Sequence, residues 1–588
     1  MRRLFEHPRL RKYAGLVHRD LVSIYSRDLH KWLIVAPIVG AATGLLITLL
    51  VEIILKWMWP PILKCYLAYP VWIVPGLCAG FILAGMLMQY LTPDPDEHST
   101  EEMIRSYHEH QGDIQFRPLV PKLLAAIVTV GCGGSAALEG PSIYGGGAIG
   151  SWIWTKVRKL GFEARDRRIL LISGAAAGMS AVFRAPLTGI VFALEMPYKD
   201  DLAHEALLPS LIASVISYAT MAAFVGAKPI FDFVSAAQYT RRDLLWSALL
   251  GGLCGLAAMM FSAVFRRARE FSIDASVPHW VKMAVGGILT GVCGLVFLSM
   301  FKDGLIPIGP NYEAVPLILQ QWHSSAELVL FGVLKLGATV FSLGVGGVSA
   351  MFVPLFLTGG SFGVAFAQSI AHSGSPDLFA AVGMAAFIAS GYKTPLTAVV
   401  FVAEATGGHA YIVPTLIGAA VAYAVSGEAS VSGEQRVHES VKLEDLANVP
   451  VRDVMRKLVV SAKGEWTLRE FASHIGAHHA HAAYPVYEEG RLAGVVSMGS
   501  LGKVPNEKWA ETRVKNIMDP RIRRVAPNCD LQEALRLLIA QREQHMLLVT
   551  SEGGELQGIV TKTDILVAMS TRGRTAVQAA GALNEGTQ

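Results

Sequence analysis

The chain has 588 residues, of which 52% are hydrophobic and 17% charged, and its mean hydropathy is +0.42. A soluble globular chain carries about 25% charged residues, so the composition excludes a single soluble domain and points to a bilayer. The net charge of +4 gives no argument for nucleic acid as a partner.

The charge deficit is uneven. Residues 1–31 form a basic N-terminal segment with Arg2, Arg3, Arg9, Arg11, Lys12, Arg19, Arg27 and Lys31. Positive residues stay on the cytoplasmic side, so both termini are expected there, in a multi-pass protein of the cell membrane. The first apolar run starts too late for a signal peptide. Residues 32–435 then hold the apolar runs, and 448–570 read as ordinary soluble protein followed by a flexible tail, 571–588. The six cysteines are scattered and suggest neither a disulfide framework nor a metal site.

In chain order, residues 32–55, 71–91, 244–265 and 281–300 each approach the 20 or so residues that cross a bilayer. Between the second and third lie shorter apolar pieces, 123–130, 143–154, 169–178 and 186–194, broken by Gly and Pro. Such pieces must tilt, or stop partway where protein or a water-filled cavity receives their backbone.

The short pieces recur. Phe183-Arg184-Ala185-Pro186-Leu187-Thr188-Gly189 through Glu195 is echoed by Tyr392-Lys393-Thr394-Pro395-Leu396-Thr397-Ala398 through Glu404, 209 positions on (395 − 186 and 404 − 195). Upstream, Pro141, Gly146, Gly147 and Gly150 are echoed by Pro354, Gly359, Gly360 and Gly363, 213 positions on (354 − 141 and 363 − 150). Close helix packing explains many of the 57 glycines. It does not explain one spacing used twice. An apolar chain made of two copies is the pattern of a transporter or channel whose site lies where the copies meet.

The segment Gly133-Gly134-Ser135-Ala136-Ala137-Leu138-Glu139-Gly140-Pro141 predicts a helix starting inside the membrane, because Pro suits the first turn. Its free N–H groups and positive dipole end attract an anion. Ser349-Ala350-Met351-Phe352-Val353-Pro354 predicts the partner start. Two such starts hold an anion by partial charges and release it, which a buried Lys or Arg would not. Glu139, an intramembrane carboxylate, is the functional candidate: facing inward, it can take the anion's place and act as a gate.

Other classes fit less well. A membrane metalloprotease needs His-Glu-x-x-His, but His204-Glu205 is followed by Leu208 at the position of the second histidine. A divalent-cation transporter needs several carboxylates within its spans, and these spans offer few. No enzymatic activity is expected.

The residues resemble those of the CLC family of chloride channels and proton-coupled chloride antiporters. The family's G-(K/R)-E-G-P motif is matched by Ala137-Leu138-Glu139-Gly140-Pro141, G-x-F-x-P by Ala350-Met351-Phe352-Val353-Pro354, and N-A-P-L-x-G-x-x-F by Arg184 through Phe192. The resemblance implies a mainly α, multi-span membrane protein with an internal inverted repeat of tilted and broken helices, working as a homodimer with one pore per subunit. It implies Glu139 as the gate, backbone N–H groups of Leu138, Glu139 and Gly140 at an outer anion site, and those of Met351 and Phe352 at a central one.

Three departures bear on mechanism. Where the family has G-S-G-I-P, this chain reads Glu97-His98-Ser99-Thr100-Glu101, so the anion-contacting serine maps to His98 or Ser99. Where it has a pore tyrosine after the last span, Ser432 stands, which predicts a wider inner passage. The antiporters' proton-transfer glutamate is Met196, which cannot titrate, leaving Asp200 as a nearby relay. The last two together favour passive chloride conduction over chloride/proton exchange, the alternative, while His98 and Ser432 leave nitrate, bicarbonate or fluoride as alternative anions.

Downstream, Val451-Arg452-Asp453-Val454-Met455 recurs as Val514-Lys515-Asn516-Ile517-Met518. The two stretches, 448–505 and 511–570, resemble a pair of CBS domains, a soluble α/β module. Thr561 and Asp564 match residues that hold a nucleotide ribose in that family, while Ser500 replaces the aspartate of the first copy. The resemblance therefore implies at most one adenosine nucleotide, with none required. His474, His478, His479 and His481 match no closed metal site and read as an exposed loop.

Overall fold

Two units divide the chain, Met1–His438 and Glu439–Gln588. The structure, a computed structural model, describes residues 27–96, 99–227, 239–301, 305–320, 323–406, 409–437, 449–457, 459–475, 483–521, 523–539, 546–551 and 553–565.

The described residues of the first unit are mainly helical. Helix α1 (Arg27–Glu52) passes through a π-helical turn (Ile53–Met58) into α2 (Trp59–Ala68). The turn falls where Pro60 and Pro61 can offer no N–H to the preceding carbonyls. There follow α3 (Ile73–Leu91), α4 (Ser99–Glu109), α5 (Leu119–Gly131), α6 (Glu139–Val157), α7 (Ala164–Phe183), α8 (Pro186–Glu195) and α9 (Leu207–Val225). The second half continues with α10 (Arg241–Asp274), α11 (His279–Met300), α12 (Ala314–Gln320), α13 (Ser325–Leu343), α14 (Phe352–Phe366), α15 (Pro376–Gly391), α16 (Pro395–Thr406) and α17 (Ile412–Val425).

Among the described residues, seven helical stretches are long and apolar enough to cross a membrane. The outer ones expose apolar side chains, such as Leu33, Ile34, Val71, Leu245 and Val285, as lipid contact requires. Helices α6, α7, α14 and α15 are instead buried along most of their length. A helix apolar on every side belongs in the interior, so the repeated segments form the centre and the long spans wrap them.

Two of the short pieces are longer than the sequence suggests. The run at 143–154 lies in the 19-residue α6, and that at 169–178 in the 20-residue α7. Their glycines do not end these helices. They let two backbones touch: a Cβ on Gly146 would strike the Gly174 carbonyl, and one on Gly359 the Gly383 carbonyl. The α6–α7 contact is thus repeated as α14–α15, by glycines 213 positions apart (359 − 146).

The halves also brace each other. The Glu195 carboxylate, ending α8, accepts from the N–H of Leu396 and of Thr397 at 3.0 and 2.9 Å, and from the Thr397 hydroxyl. Glu404 on α16 accepts from Leu187 and Thr188 at 3.0 and 2.8 Å, and from the Thr188 hydroxyl. Each acid satisfies the orphan amides at the start of the other's helix, where the dipole favours a negative charge.

The second unit contains two three-stranded sheets of one pattern. In the first, β1 (Ala462–Lys463) is parallel to β2 (Ala483–Glu488), which is antiparallel to β3 (Arg491–Ser497), with α18 (Leu468–Ile475) before β2. After β3 comes the single turn α19 (Met498–Leu501). In the second, β4 (Arg524–Val525), α20 (Leu531–Ile539), β5 (Met546–Thr550) and β6 (Leu556–Thr561) repeat that order. The copies exchange lead-in residues, since Arg456 bridges Ile559 of the second sheet and Asp519 bridges Val495 of the first. Among the described residues no group of three or more His, Cys, Asp or Glu could hold a metal. His474 stacks on Trp466; His478, His479 and His481 lie outside the described residues.

Candidate functional site

Helices α6 and α14 start at Glu139 and Phe352, and the residues before them form one antiparallel bridge. Ala137 N–H donates to the Ala350 carbonyl at 2.8 Å, and Ala350 N–H to the Ala137 carbonyl at 3.3 Å. The Ser349 hydroxyl adds a bond to the Ala137 carbonyl. This contact sets the two helix starts nose to nose. Gly140 has to be glycine here, because a Cβ would come within 2.8 Å of the Ser349 backbone.

Glu139 is fully buried and reaches across the junction. Its Oε1 accepts from the Phe352 N–H at 2.6 Å and from the Tyr392 hydroxyl at 3.3 Å. The Tyr392 oxygen in turn accepts from the Met351 N–H at 3.0 Å. The carboxylate therefore occupies the start of the opposite helix, where partial positive charge is concentrated. Its Oε2 is buried without a hydrogen-bond partner among the described residues. Leaving such an oxygen unsatisfied costs about 1–3 kcal/mol, more for a charged group, so a proton or displacement relieves the site.

The walls are aromatic. Phe352 packs on Phe183 and Phe401 with ring centroids 5.2 and 4.9 Å away, and Phe192 lies edge-on to Tyr392. Beside Phe183 lies the Tyr312 ring. Water is excluded on these sides, which strengthens every dipole aimed at the centre.

The residues expected at the site fare differently. Leu138, Glu139, Gly140, Met351 and Phe352 come together. Leu138 is the N-cap residue of α6, and Met351 and Phe352 face the carboxylate. His98 lies outside the described residues, and Ser99 begins α4 without a described side chain. Ser432 is buried, its hydroxyl without a partner among the described residues, and lines, with Met351 and Tyr392, a cavity of about 30 Å³. Tyr392 of the α15–α16 turn borders the same cavity, with its hydroxyl at the Met351 N–H and Glu139. Met196 is fully buried, whereas Asp200 is exposed and bonded by the Tyr423 hydroxyl, away from Glu139's partners.

Sequence reasoning missed Tyr392 and Gln435. Gln435 Nε2 donates to the Tyr392 carbonyl at 2.8 Å and to the Met196 carbonyl at 3.0 Å, while Ser430 donates to its Oε1 at 2.5 Å. It ties the tyrosine's backbone to the end of α8. The signal for Tyr392 is the echo itself, which aligns it with Phe183 and differs by a hydroxyl.

In the second unit Thr561 and Asp564 are close but engaged with each other. The Thr561 hydroxyl and N–H donate to Asp564 Oδ2 at 2.6 and 2.9 Å, and Arg456 Nε donates to Oδ1 at 2.8 Å. A cavity of about 670 Å³ lies between the two copies, lined by Ser497, Ser500 and Lys503 of the first and by Arg521, Arg523 and Met546 of the second.

Comparison with known proteins agrees with this geometry. Residues 80–427 match the family model for the voltage gated chloride channel, and 451–504 and 514–571 match that for the CBS domain. The chain is 27% identical over 431 residues, 70% of its length and 86% of the relative's, to an H(+)/Cl(-) exchange transporter ClcA of Yersinia pseudotuberculosis. It is 26% identical over 360 residues, 59% of its length and 80% of the relative's, to a putative chloride channel protein ClcB-like of Ralstonia nicotianae. Among solved structures, a CLC-type fluoride/proton antiporter superposes with a TM-score of 0.60 at 21% identity, covering 70% of this chain and 98% of that one. A eukaryotic CLC transporter superposes with a TM-score of 0.56 at 18% identity, covering 91% and 98%.

Proposed function

We propose, for a chain that belongs to the voltage gated chloride channel family, the exchange of a small monovalent anion for protons, with Glu139 as the group both compete for. Anion transport across a membrane follows from the family. The coupling rests on one observation: Glu139 Oε1 holds the Phe352 N–H that an anion would need. An anion and the charged carboxylate exclude each other there. A proton arriving on the carboxylate weakens its hold on the N–H and frees the place. Chloride is the first candidate substrate, since the relatives carry that ion in their names.

Passive conduction is the second reading, and Met196 favours it, since a thioether cannot carry a proton. In liposomes holding the purified protein, exchange requires a chloride gradient to drive protons uphill. Anion flux without proton movement overturns exchange in favour of the pore. The same proposal includes a homodimer, which the family resemblance supports, and termini on the cytoplasmic side, which the basic residues before α1 support.

A further inference from the structure

The exchange reading leaves a gap, because Met196 stands where a proton carrier is wanted. The cavity of about 30 Å³ beneath the site offers another route. It lies where residues 431 and 432 pass the Met351 amide, and its lining includes Glu101 as well as Tyr392, Met351, Thr100 and Ser432. A water needs roughly 10–15 Å³ of such space and two or more polar partners, so the volume suits a short water bridge. Two hydroxyls lining it, those of Thr100 and Ser432, are buried and have no hydrogen-bond partner among the described residues. They are the groups an interior water would satisfy.

We infer that Glu101 passes protons through this cavity to Tyr392, whose hydroxyl hands them to Glu139, so that anion and proton share one inner vestibule. The inference rests on the exchange reading and supplies its missing carrier. Glu101 lies on α4, outside the long spans. Its carboxylate pairs with Arg269 of α10 at 3.2 Å. Around it stand Arg105 and Glu434, themselves paired at 2.8 Å, the Gly433 N–H, and Asp96, whose carbonyl accepts from Arg269. Burial pushes the Glu101 carboxyl up, and the Arg269 guanidinium opposes that rise without cancelling it.

The transfer balances. The Glu101 carboxyl gives its proton to the cavity water, and the water gives one to the Tyr392 oxygen. At the same time the Tyr392 O–H proton passes to Glu139 Oε1, 3.3 Å away. Glu101 is left charged and Glu139 neutral, with the tyrosine unchanged in composition. One lone pair of the phenol oxygen takes the Met351 N–H and the other receives the incoming proton. Rotation of the new O–H back toward Glu139 resets the relay.

The test measures chloride and proton movement together in liposomes for the unsubstituted protein, Glu101→Gln, Glu101→Asp and Tyr392→Phe. The relay requires the proton-to-chloride ratio of Glu101→Gln to fall about tenfold or more, with Glu101→Asp restoring part of it. Tyr392→Phe must lower the ratio likewise, which keeps the inference testable should Glu101→Gln fail to fold. A full ratio in either Glu101→Gln or Tyr392→Phe overturns the relay and leaves exchange standing. Absence of proton movement in the unsubstituted protein overturns exchange itself, and the relay with it.

Discussion

Glu195 and Glu404 occupy matching positions of the two halves and do matching work, each capping the other's helix. Glu139 and Phe352 also occupy matching positions, 213 apart (352 − 139), yet one supplies a carboxylate and the other the N–H that receives it. The turns that follow differ in the same sense, Phe183 in one half and Tyr392 in the other. Arg184 and Lys393, next in sequence, both take a left-handed φ, +53° and +58°. The backbone is thus duplicated while the side chains at the centre are not. Where the halves agree, residues hold the fold together. Where they differ, a pathway acquires direction and a gate.

The largest effect is expected from erasing the central difference. Glu139→Gln keeps the shape but cannot charge, so anion flux in liposomes should lose most of its pH dependence. A flux–pH profile like that of the unsubstituted protein would remove Glu139 from gating and reduce the asymmetry to packing.

Next come substitutions on the symmetric side, which should act on stability equally in both halves. Gly146→Ala and Gly359→Ala each force a methyl into a helix–helix contact closed by a facing carbonyl. Overpacking of this kind costs about 1–3 kcal/mol, read as a lower unfolding temperature in detergent. A large loss in one half only would show that the repeat is not mechanically symmetric. Smaller still, Glu195→Gln and Glu404→Gln each weaken a helix-start cap worth about 1 kcal/mol. Glu195 is the more buried of the two, so its replacement should cost more.

This division also governs what the sequence could reveal. The duplication, the two helix starts and Glu139 were legible because each is a local pattern of Gly, Pro and one acid in an apolar run. The roles of Glu195 and Glu404 were not, since their partners lie across the fold and an acid at a helix end reads as a solvated terminus. Tyr392 was missed for a related reason. A hydroxyl at the central site was sought after the last span, near Ser432, whereas the fold delivers it from the turn after α15. The lengths of α6 and α7 were underestimated because glycines that permit close packing resemble glycines that end helices.

The smallest effect concerns the soluble unit, where a second pair of copies poses the same question. Thr561 and Asp564 close on each other and on Arg456, a capping arrangement that leaves both Asp564 oxygens engaged. In the other copy Ser497 and Ser500 stand at the matching turn, beside a cavity that also offers Lys503, Arg521 and Arg523. If the departing turn is the one that takes a nucleotide, the cations around the cavity, Lys503 from its own copy and Arg521 and Arg523 from the other, would meet the phosphates. ATP at about its dissociation constant would stabilise this unit by about 0.4 kcal/mol, seen as a small rise in unfolding temperature of the full chain. Lys503→Ala should reduce that rise and Asp564→Asn should leave it. If Asp564→Asn abolishes it instead, the nucleotide sits at the copy that keeps the family's residues, and the difference between copies there is only packing.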